Sequence, residues 1–445
     1  MSRLFGTDGV RGVANSELTP ELAFRLGEAA GHFLGDRGRG RIVVGRDTRK
    51  SGEMLESALV AGLLAGGADA LVCGIVPTPA VALLVREFEA DGGVVISASH
   101  NAPEYNGIKL FSRDGFKLPD ELEDEIEEYC VGEREEWERP TGAGVGGLVH
   151  VDDALERYMT HCVATIGTDL SGLKIVVDCG HGASGVATPE SLRRLGAQVV
   201  AINCESDGMD INVGCGSTNL GPVTEAVVAA GADLGIAHDG DADRVLAVDE
   251  HGDEVDGDAI MAICAAHRFA EGMLPLDTVV STVMCNLGFE LAMRDLGITV
   301  IKTKVGDRYV LEQMRTSGAT LGGEQSGHII FLEHNTTGDG LVTALQLASV
   351  MRQTGKPLSE LRTVMRRFPQ VLVNVPVADK ARLATSAAVS DAVHAAEVEL
   401  GDAGRVLVRP SGTEPLVRVM AEAADEATAA RVVENLVGIV RKELS

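Results

Sequence analysis

Aromatic residues are scarce in this chain: 3% of 445, with one Trp and four Tyr. Large rings therefore do little of the packing, and Ala, Val, Leu and Ile must fill the cores. Positive charge is also short. The 39 Lys and Arg against 66 Asp and Glu leave a net −27. A field of that sign repels nucleic acid and anionic lipid, and argues against a protein that grips a phosphate backbone. It also repels a small anionic substrate unless Arg and Lys gather at the site. No run approaches 18 uninterrupted apolar residues, so no membrane span is expected. The opening Met1-Ser2-Arg3-Leu4-Phe5-Gly6-Thr7-Asp8 lacks the apolar stretch of a signal peptide. The eight Cys form no C-x-x-C pair and no zinc spacing. Several sit in apolar surroundings and read as reduced, structural thiols, which points to the cytosol. Neither a nucleotide-binding P-loop nor a G-x-S-x-G elbow occurs, which speaks against ATP chemistry and against acyl hydrolysis.

What is present is an ordinary globular composition, 45% hydrophobic and 24% charged, with 53 Gly. The length suits three or four domains. A unit recurs along the chain. It opens with a β-branched run (Ile42-Val43-Val44, Ile175-Val176-Val177, Val279-Val280), then a polar loop, an amphipathic helix and a second strand. The helices are expected near 54–64, 189–195 and 290–296. Each unit closes on a strand that runs into a polar loop: Ser97-Ala98-Ser99-His100-Asn101, Asp239-Gly240-Asp241-Ala242-Asp243-Arg244, and Gly323-Glu324-Gln325-Ser326-Gly327-His328. These are βαβ units, in which ligands gather beyond the carboxyl ends of the strands. A tail differs, with strands near 370–375, 404–409 and 416–420 and helices near 384–400 and from 426. The fold expected is α/β, with three similar βαβ domains on mixed sheets (1–150, 151–252, 253–367) and a smaller α+β domain (368–445).

Four loops carry chemistry. Asp239, Asp241 and Asp243 put carboxylates at alternate positions after a strand, and three anions so close call for a divalent cation. A calcium loop would place Glu250 twelfth, but its sixth position is Arg244 where Gly is needed. In Ser97–Asn101, Ser99 reads either as a nucleophile or as a helix cap beside a polar His100. Arg409-Pro410-Ser411-Gly412-Thr413-Glu414-Pro415 reads as a phosphate cradle: Gly412 lets N–H groups converge, Ser411 and Thr413 add hydroxyl donors, and Arg409 adds a charged fork, with Arg418 on the next strand. The loop from Gly323 to His328 offers Glu324, Gln325, Ser326 and His328, an inventory equally suited to a sugar and to a helix cap.

Together with Phe5-Gly6-Thr7-Asp8-Gly9 at the start, these segments, in this order and over essentially the whole chain, resemble the α-D-phosphohexomutase superfamily. The Gly-Glu-Gln-Ser-Gly-His form of the sugar loop tilts the resemblance toward the glucosamine branch. The resemblance implies four domains around a central cleft. It implies that Ser99 carries a phosphoryl group and, with Asp239, Asp241 and Asp243, binds Mg²⁺. It implies interconversion of glucosamine 6-phosphate and glucosamine 1-phosphate through a 1,6-bisphosphate, supplying UDP-N-acetylglucosamine synthesis. The alternatives are a mannose or glucose mutase of the same mechanism, or a non-catalytic phosphosugar binder. Lys109 is the first candidate for general acid or base and His328 the second; either could instead act purely by its charge, Lys109 could be a surface lysine, and His328 a cap on its loop. Arg11, His100, Arg244, Glu324, Ser326, Arg409, Ser411, Gly412, Thr413 and Arg418 are expected to bind the phosphosugar, with Arg46 lining the cleft. These cations would supply the local positive field that the acidic chain needs. A homodimer is an open expectation, and no nucleic acid or membrane partner is expected. One departure stands out: Ala102 holds the place where the family commonly has Pro after Ser-His-Asn, and Pro103 follows.

Overall fold

The computed structural model describes residues 4–6, 8–35, 40–132, 138–411 and 416–444. Its contacts divide the chain into two compact units, Met1–Met284 with Gly297–Val364, and Cys285–Leu296 with Met365–Ser445.

Three mixed sheets build the first unit. The apolar runs read from the sequence are their central strands, buried on both faces as parallel strands covered by helices must be: Ile42, Val43, Val44, Ile175, Val176, Val177, Val279 and Val280 are fully inaccessible. In the seven-stranded sheet Arg41–Arg46 lies between Asp69–Ile75 and Gly92–Ile96, parallel to both. The five-stranded sheet centres on Lys174–Asp178 and Leu234–His238, and the four-stranded one on Thr278–Thr282 and Leu321–Gly323. The three share a feature that the repeat did not disclose. The last parallel strand turns back through its polar loop into an antiparallel partner: Gly92–Ile96 into Tyr105–Ser112, Leu234–His238 into Val245–Asp249, and Leu321–Gly323 into Ile329–Phe331. Each chemical loop is thus pinned at both ends by the same sheet.

The second helix of the repeat begins earlier than expected, spanning Ser184–Arg194 with Pro189 inside it. The loop before it feeds straight into the first turn, Ala183 N donating to the Gly240 carbonyl at 2.8 Å, and this tertiary anchor outweighs the usual placing of Pro at a helix start. Helices Pro20–Phe33 and Gly52–Ala65 cross at two glycines. A Cβ on Gly62 would lie 2.0 Å from the Phe24 carbonyl oxygen, and one on Gly27 would lie 2.1 Å from that of Leu59. Gly62→Ala should therefore lower stability by about 1–3 kcal/mol, although Ala favours an isolated helix by about 1 kcal/mol. A fall in the thermal midpoint is the readout, and an unchanged or raised midpoint would contradict the close crossing.

In the second unit Leu416–Ala423 is the central strand, antiparallel to Gln370–Pro376 and Gly404–Pro410, with helix Glu426–Leu444 packed over it and helix Ala387–Leu400 over Gly404–Pro410. Its core is aliphatic, including Val375, Val417, Val419, Val433, Leu436 and Val440. Helix Leu287–Leu296 belongs to this unit. It starts three residues before the expected position because Asn286 accepts from Gly288 N at 3.0 Å and Glu422 accepts from Leu287 N at 2.8 Å, capping the first turn.

Candidate active site

Ser99 is fully buried with φ +51°, a left-handed conformation that a serine adopts only when its surroundings impose it. The imposing group is Arg49, buried to 1%. Its Nη2 donates to the carbonyls of Ser99 (2.9 Å) and Asn101 (2.8 Å), and its Nη1 to those of Ala102 and Tyr105. Its Nε meets Asp47 Oδ2 at 3.0 Å, and that oxygen accepts from Ser97 Oγ at 2.6 Å, which accepts from Ser99 N at 2.9 Å. Asn212 Nδ2 binds the Ser99 carbonyl as well, at 2.9 Å. This guanidinium thus holds four carbonyls of the loop, that of Ala102 among them. Arg49→Ala would strand a buried Asp47 and several carbonyls, a loss of about 3–5 kcal/mol. A urea midpoint should report it, with Arg49→Lys restoring only part because an ammonium cannot form the fork.

Ser99 Oγ donates to Asp239 Oδ2 at 2.6 Å. Asp239, Asp241 and Asp243 are all buried, each with an oxygen within 4.8 Å of the others. Ala242, at φ +56°, curls the loop, and Arg244 N donates to Asp239 Oδ1 at 3.2 Å. Thr78 N binds the Asp241 carbonyl and Gly340 N that of Ala242. Beneath the loop, the buried His238 lies between Arg244 O (3.1 Å) and Thr188 Oγ1 (3.0 Å), and burial lowers it to about 4, so it is neutral. Burial, then the charges of Asp243 and Asp241, push the Asp239 carboxyl well up. Asp241 Oδ1 and Asp243 Oδ1 are buried without a hydrogen-bond partner. Hard oxygen donors, mutual repulsion and two bare carboxylate oxygens fit a divalent cation. Glu250, the twelfth position of the rejected calcium loop, is engaged by Ser359 instead, accepting from its N at 3.2 Å.

Lys109 Nζ lies 2.8 Å from Asp241 Oδ2, 3.3 Å from Asp243 Oδ2 and 3.0 Å from Asp8 Oδ2. Against its burial, Asp241, Asp8 and Asp243 raise it well above the usual lysine range, so it is a charged ammonium and no surface residue. Asp8 also pairs with Arg11 and Lys117, Lys117 with Asp307, and Asp307 lies 3.5 Å from His328 Nε2. Alternating charges thus run from the carboxylate trio to His328. His328 is buried, and neither ring nitrogen has a hydrogen bond. Its carbonyl, not its ring, closes the loop by accepting from Glu324 N at 3.0 Å. Glu324 Oε1 accepts from Gly306 N at 3.1 Å, and Ser326 is exposed.

His100 sits beside Ser99, Nδ1 3.3 Å from Oγ, on the solvent side of the loop. Partial desolvation, then the charges of Arg244 and Arg11, lower it to about 4, so it is neutral. Arg244 Nε lies 3.8 Å from Asp243 Oδ1. The guanidinium of Arg46 is engaged by Glu56 and Glu53 at 3.3 and 3.5 Å.

In the second unit Arg409 and Arg418 are direct partners across neighbouring strands. Like charges in that position repel unless an anion joins them, and burial followed by Arg418 lowers Arg409 below the ordinary arginine range. Ser411 N donates to the Leu416 carbonyl at 2.9 Å, and Lys380 Nζ to the Ser411 carbonyl at 2.8 Å. Gly412 and Thr413 lie outside the described residues. Sequence reasoning missed Arg49, Asp47, Thr78, Lys117, Asn212, His238 and Asp307. Asp8 lay within the opening motif; apart from the Asp47–Arg49 pair, two residues apart, the rest carried no local signal, because their partners are 50 or more residues away or lie in the backbone.

Family models of the phosphoglucomutase/phosphomannomutase type match in succession: alpha/beta/alpha domain I over residues 2–136, domain II over 156–252, domain III over 256–368 and the C-terminal domain over 372–439. The chain belongs to this phosphohexomutase family. Its curated relatives narrow the likeness. It is 54% identical to the phosphoglucosamine mutase of Desulforamulus reducens over 441 residues, 99% of each chain. It is 56% identical to that of Desulforudis audaxviator, over 99% of this chain and 98% of the relative. Among solved structures, a phosphoglucomutase/phosphomannomutase family protein from Burkholderia thailandensis superposes with a TM-score of 0.84 at 26% identity, over 99% of this chain and 97% of that one. Among the described residues no helix is long and apolar enough to cross a membrane.

Proposed function

We propose that the protein interconverts glucosamine 6-phosphate and glucosamine 1-phosphate, with Ser99 as the residue that carries the transferring phosphoryl group. The observation that supports this reading most is the 2.6 Å contact between Ser99 Oγ and Asp239 within a buried carboxylate trio. Asp239, Asp241 and Asp243 would hold Mg²⁺, which when bound neutralises charge on the transferring group. Lys109, kept as an ammonium by three carboxylates, orients phosphoryl oxygens, and Arg244 and Arg11 add positive charge at His100, the neighbour of Ser99. His328, whose ring nitrogens make no hydrogen bond and whose Nε2 faces Asp307, is suited to exchange a proton with a sugar hydroxyl, and Glu324 and Ser326 to read the ring. The opposed Arg409 and Arg418, with Ser411, Gly412 and Thr413, suit the non-reacting phosphate.

The amino-sugar preference rests on the 54–56% identical relatives named phosphoglucosamine mutase. Turnover of glucosamine 6-phosphate, compared with glucose and mannose 6-phosphates under one set of conditions, tests it. A kcat/KM preference of at least about tenfold for the amino sugar is expected; a preference for mannose would overturn the substrate assignment.

A further inference from the structure

Cys179 and Cys204 are thiols that touch: Cys204 Sγ lies 3.4 Å from Cys179 Sγ. Both stand just past the ends of the paired parallel strands Lys174–Asp178 and Gln198–Ile202, and Cys179 N donates to the Ile202 carbonyl at 3.1 Å. From 3.4 Å the two sulfurs need approach by only about 1.4 Å to reach a bond of about 2.05 Å. Cys179 is fully buried, whereas Cys204 is partly exposed and open to a small oxidant. Contact with Cys179 draws the Cys204 thiol below the ordinary range, and the same contact, with burial, pushes Cys179 well above it. The more acidic, more accessible sulfur is therefore the one that reacts first.

The turn that follows Cys179 supports the reaction loops. Its carbonyl accepts from Gly182 N at 2.9 Å, Ala183 N holds the Gly240 carbonyl between Asp239 and Asp241, and Gly180 O receives Asn212 N. Asn212 in turn holds the Ser99 carbonyl. There is no slack here: a Cβ on Gly182 would lie 2.3 Å from Gly240 O. A shift of Cys179 is passed to both the carboxylate loop and the serine loop.

We propose that Cys179 and Cys204 are a redox-responsive pair that peroxide closes to a disulfide, displacing the loops of Ser99 and Asp239. The Cys204 thiolate attacks a peroxide oxygen and the O–O bond breaks, giving a Cys204 sulfenic acid and a hydroxide that leaves as water with the proton the Cys204 thiol had released. Cys179 sulfur then attacks Cys204 sulfur, the S–O bond breaks, and hydroxide departs as water with the Cys179 proton. Two thiols and one hydrogen peroxide thus become one disulfide and two waters. A dithiol reverses the reaction by exchange.

The full-length protein is treated with hydrogen peroxide, its remaining thiols are alkylated, and its peptides are weighed. A linked 179–204 peptide, two hydrogens lighter and reopened by dithiothreitol, is expected. Turnover should fall about tenfold or more, since a 1 Å misplacement can cost about 10²-fold, and return on reduction. Cys204→Ser, and separately Cys179→Ala, should keep basal turnover and lose the peroxide effect. No linked peptide, an oxidised protein of undiminished turnover, or equal inhibition of both variants would overturn the proposal. The linked peptide is read by mass alone, so failure of the mutase assignment is seen separately, as absent turnover in the reduced protein.

Discussion

Ser99→Ala is expected to abolish mutase turnover, by about 10⁴- to 10⁶-fold, the scale on which enzymes lose rate when a covalent nucleophile is removed. Intact mass should change in parallel: the unmodified protein after incubation with a hexose 1,6-bisphosphate should gain one phosphatase-sensitive phosphoryl group, and the variant none. The fold should survive. The left-handed backbone at residue 99 is imposed by Arg49, Ser97 and Asn212 acting on main-chain atoms, and none of these contacts uses Ser99 Oγ. The lost hydrogen bond leaves Asp239 Oδ2 short of a donor, which costs about 1–3 kcal/mol. A variant that is folded but inactive places the chemistry at this hydroxyl. Turnover within tenfold of the unmodified protein would remove Ser99 from the reaction and leave the phosphosugar-binding alternative.

The fold was legible where physics acts locally. Ile42–Val44, Ile175–Val177 and Val279–Val280 stand out because parallel strands are apolar on both faces, and the loops that follow closing strands are polar because ligands gather at such ends. The Asp239–Asp243 cluster was legible for the same reason, three charges on five residues being improbable without a counter-ion. The groups that hold these loops in shape were not legible. Arg49 reaches carbonyls 50 to 56 residues away, and Thr78 reaches Asp241 across 163 residues. A carbonyl acceptor leaves no mark on residue identity. The chain of Lys109, Asp8, Lys117, Asp307 and His328 joins three separate stretches of sequence, and each member alone looks like any charged residue in a chain rich in acid. Helix starts failed similarly: Pro189 marks a start by local rules, whereas the Gly240 carbonyl sets the real one five residues earlier.

Asp241→Asn should cut turnover by about 10²- to 10³-fold or more, in line with removing one fixed electrostatic partner of a developing charge. Its effect on stability should have the opposite sign from that of most buried polar substitutions. Asp241 Oδ2 accepts from Thr78 Oγ1 at 2.6 Å and from Lys109 Nζ at 2.8 Å, while Oδ1 is bare. An amide oxygen in the place of Oδ2 can accept from both, Lys109 retains Asp8 and Asp243, and the trio loses one of its three mutually repelling charges. Without divalent ion the variant should therefore melt no lower than the unmodified protein. With ion the order reverses. A ligand at 100 times its Kd adds about 2.7 kcal/mol to the folded state, a gain that the unmodified protein should show on Mg²⁺ addition and the variant should largely lose. Melting curves with chelator and with Mg²⁺, run on both proteins beside turnover, separate a cation site from a structural acidic turn. Only a cation site makes the same carboxylate destabilising when empty and stabilising when filled.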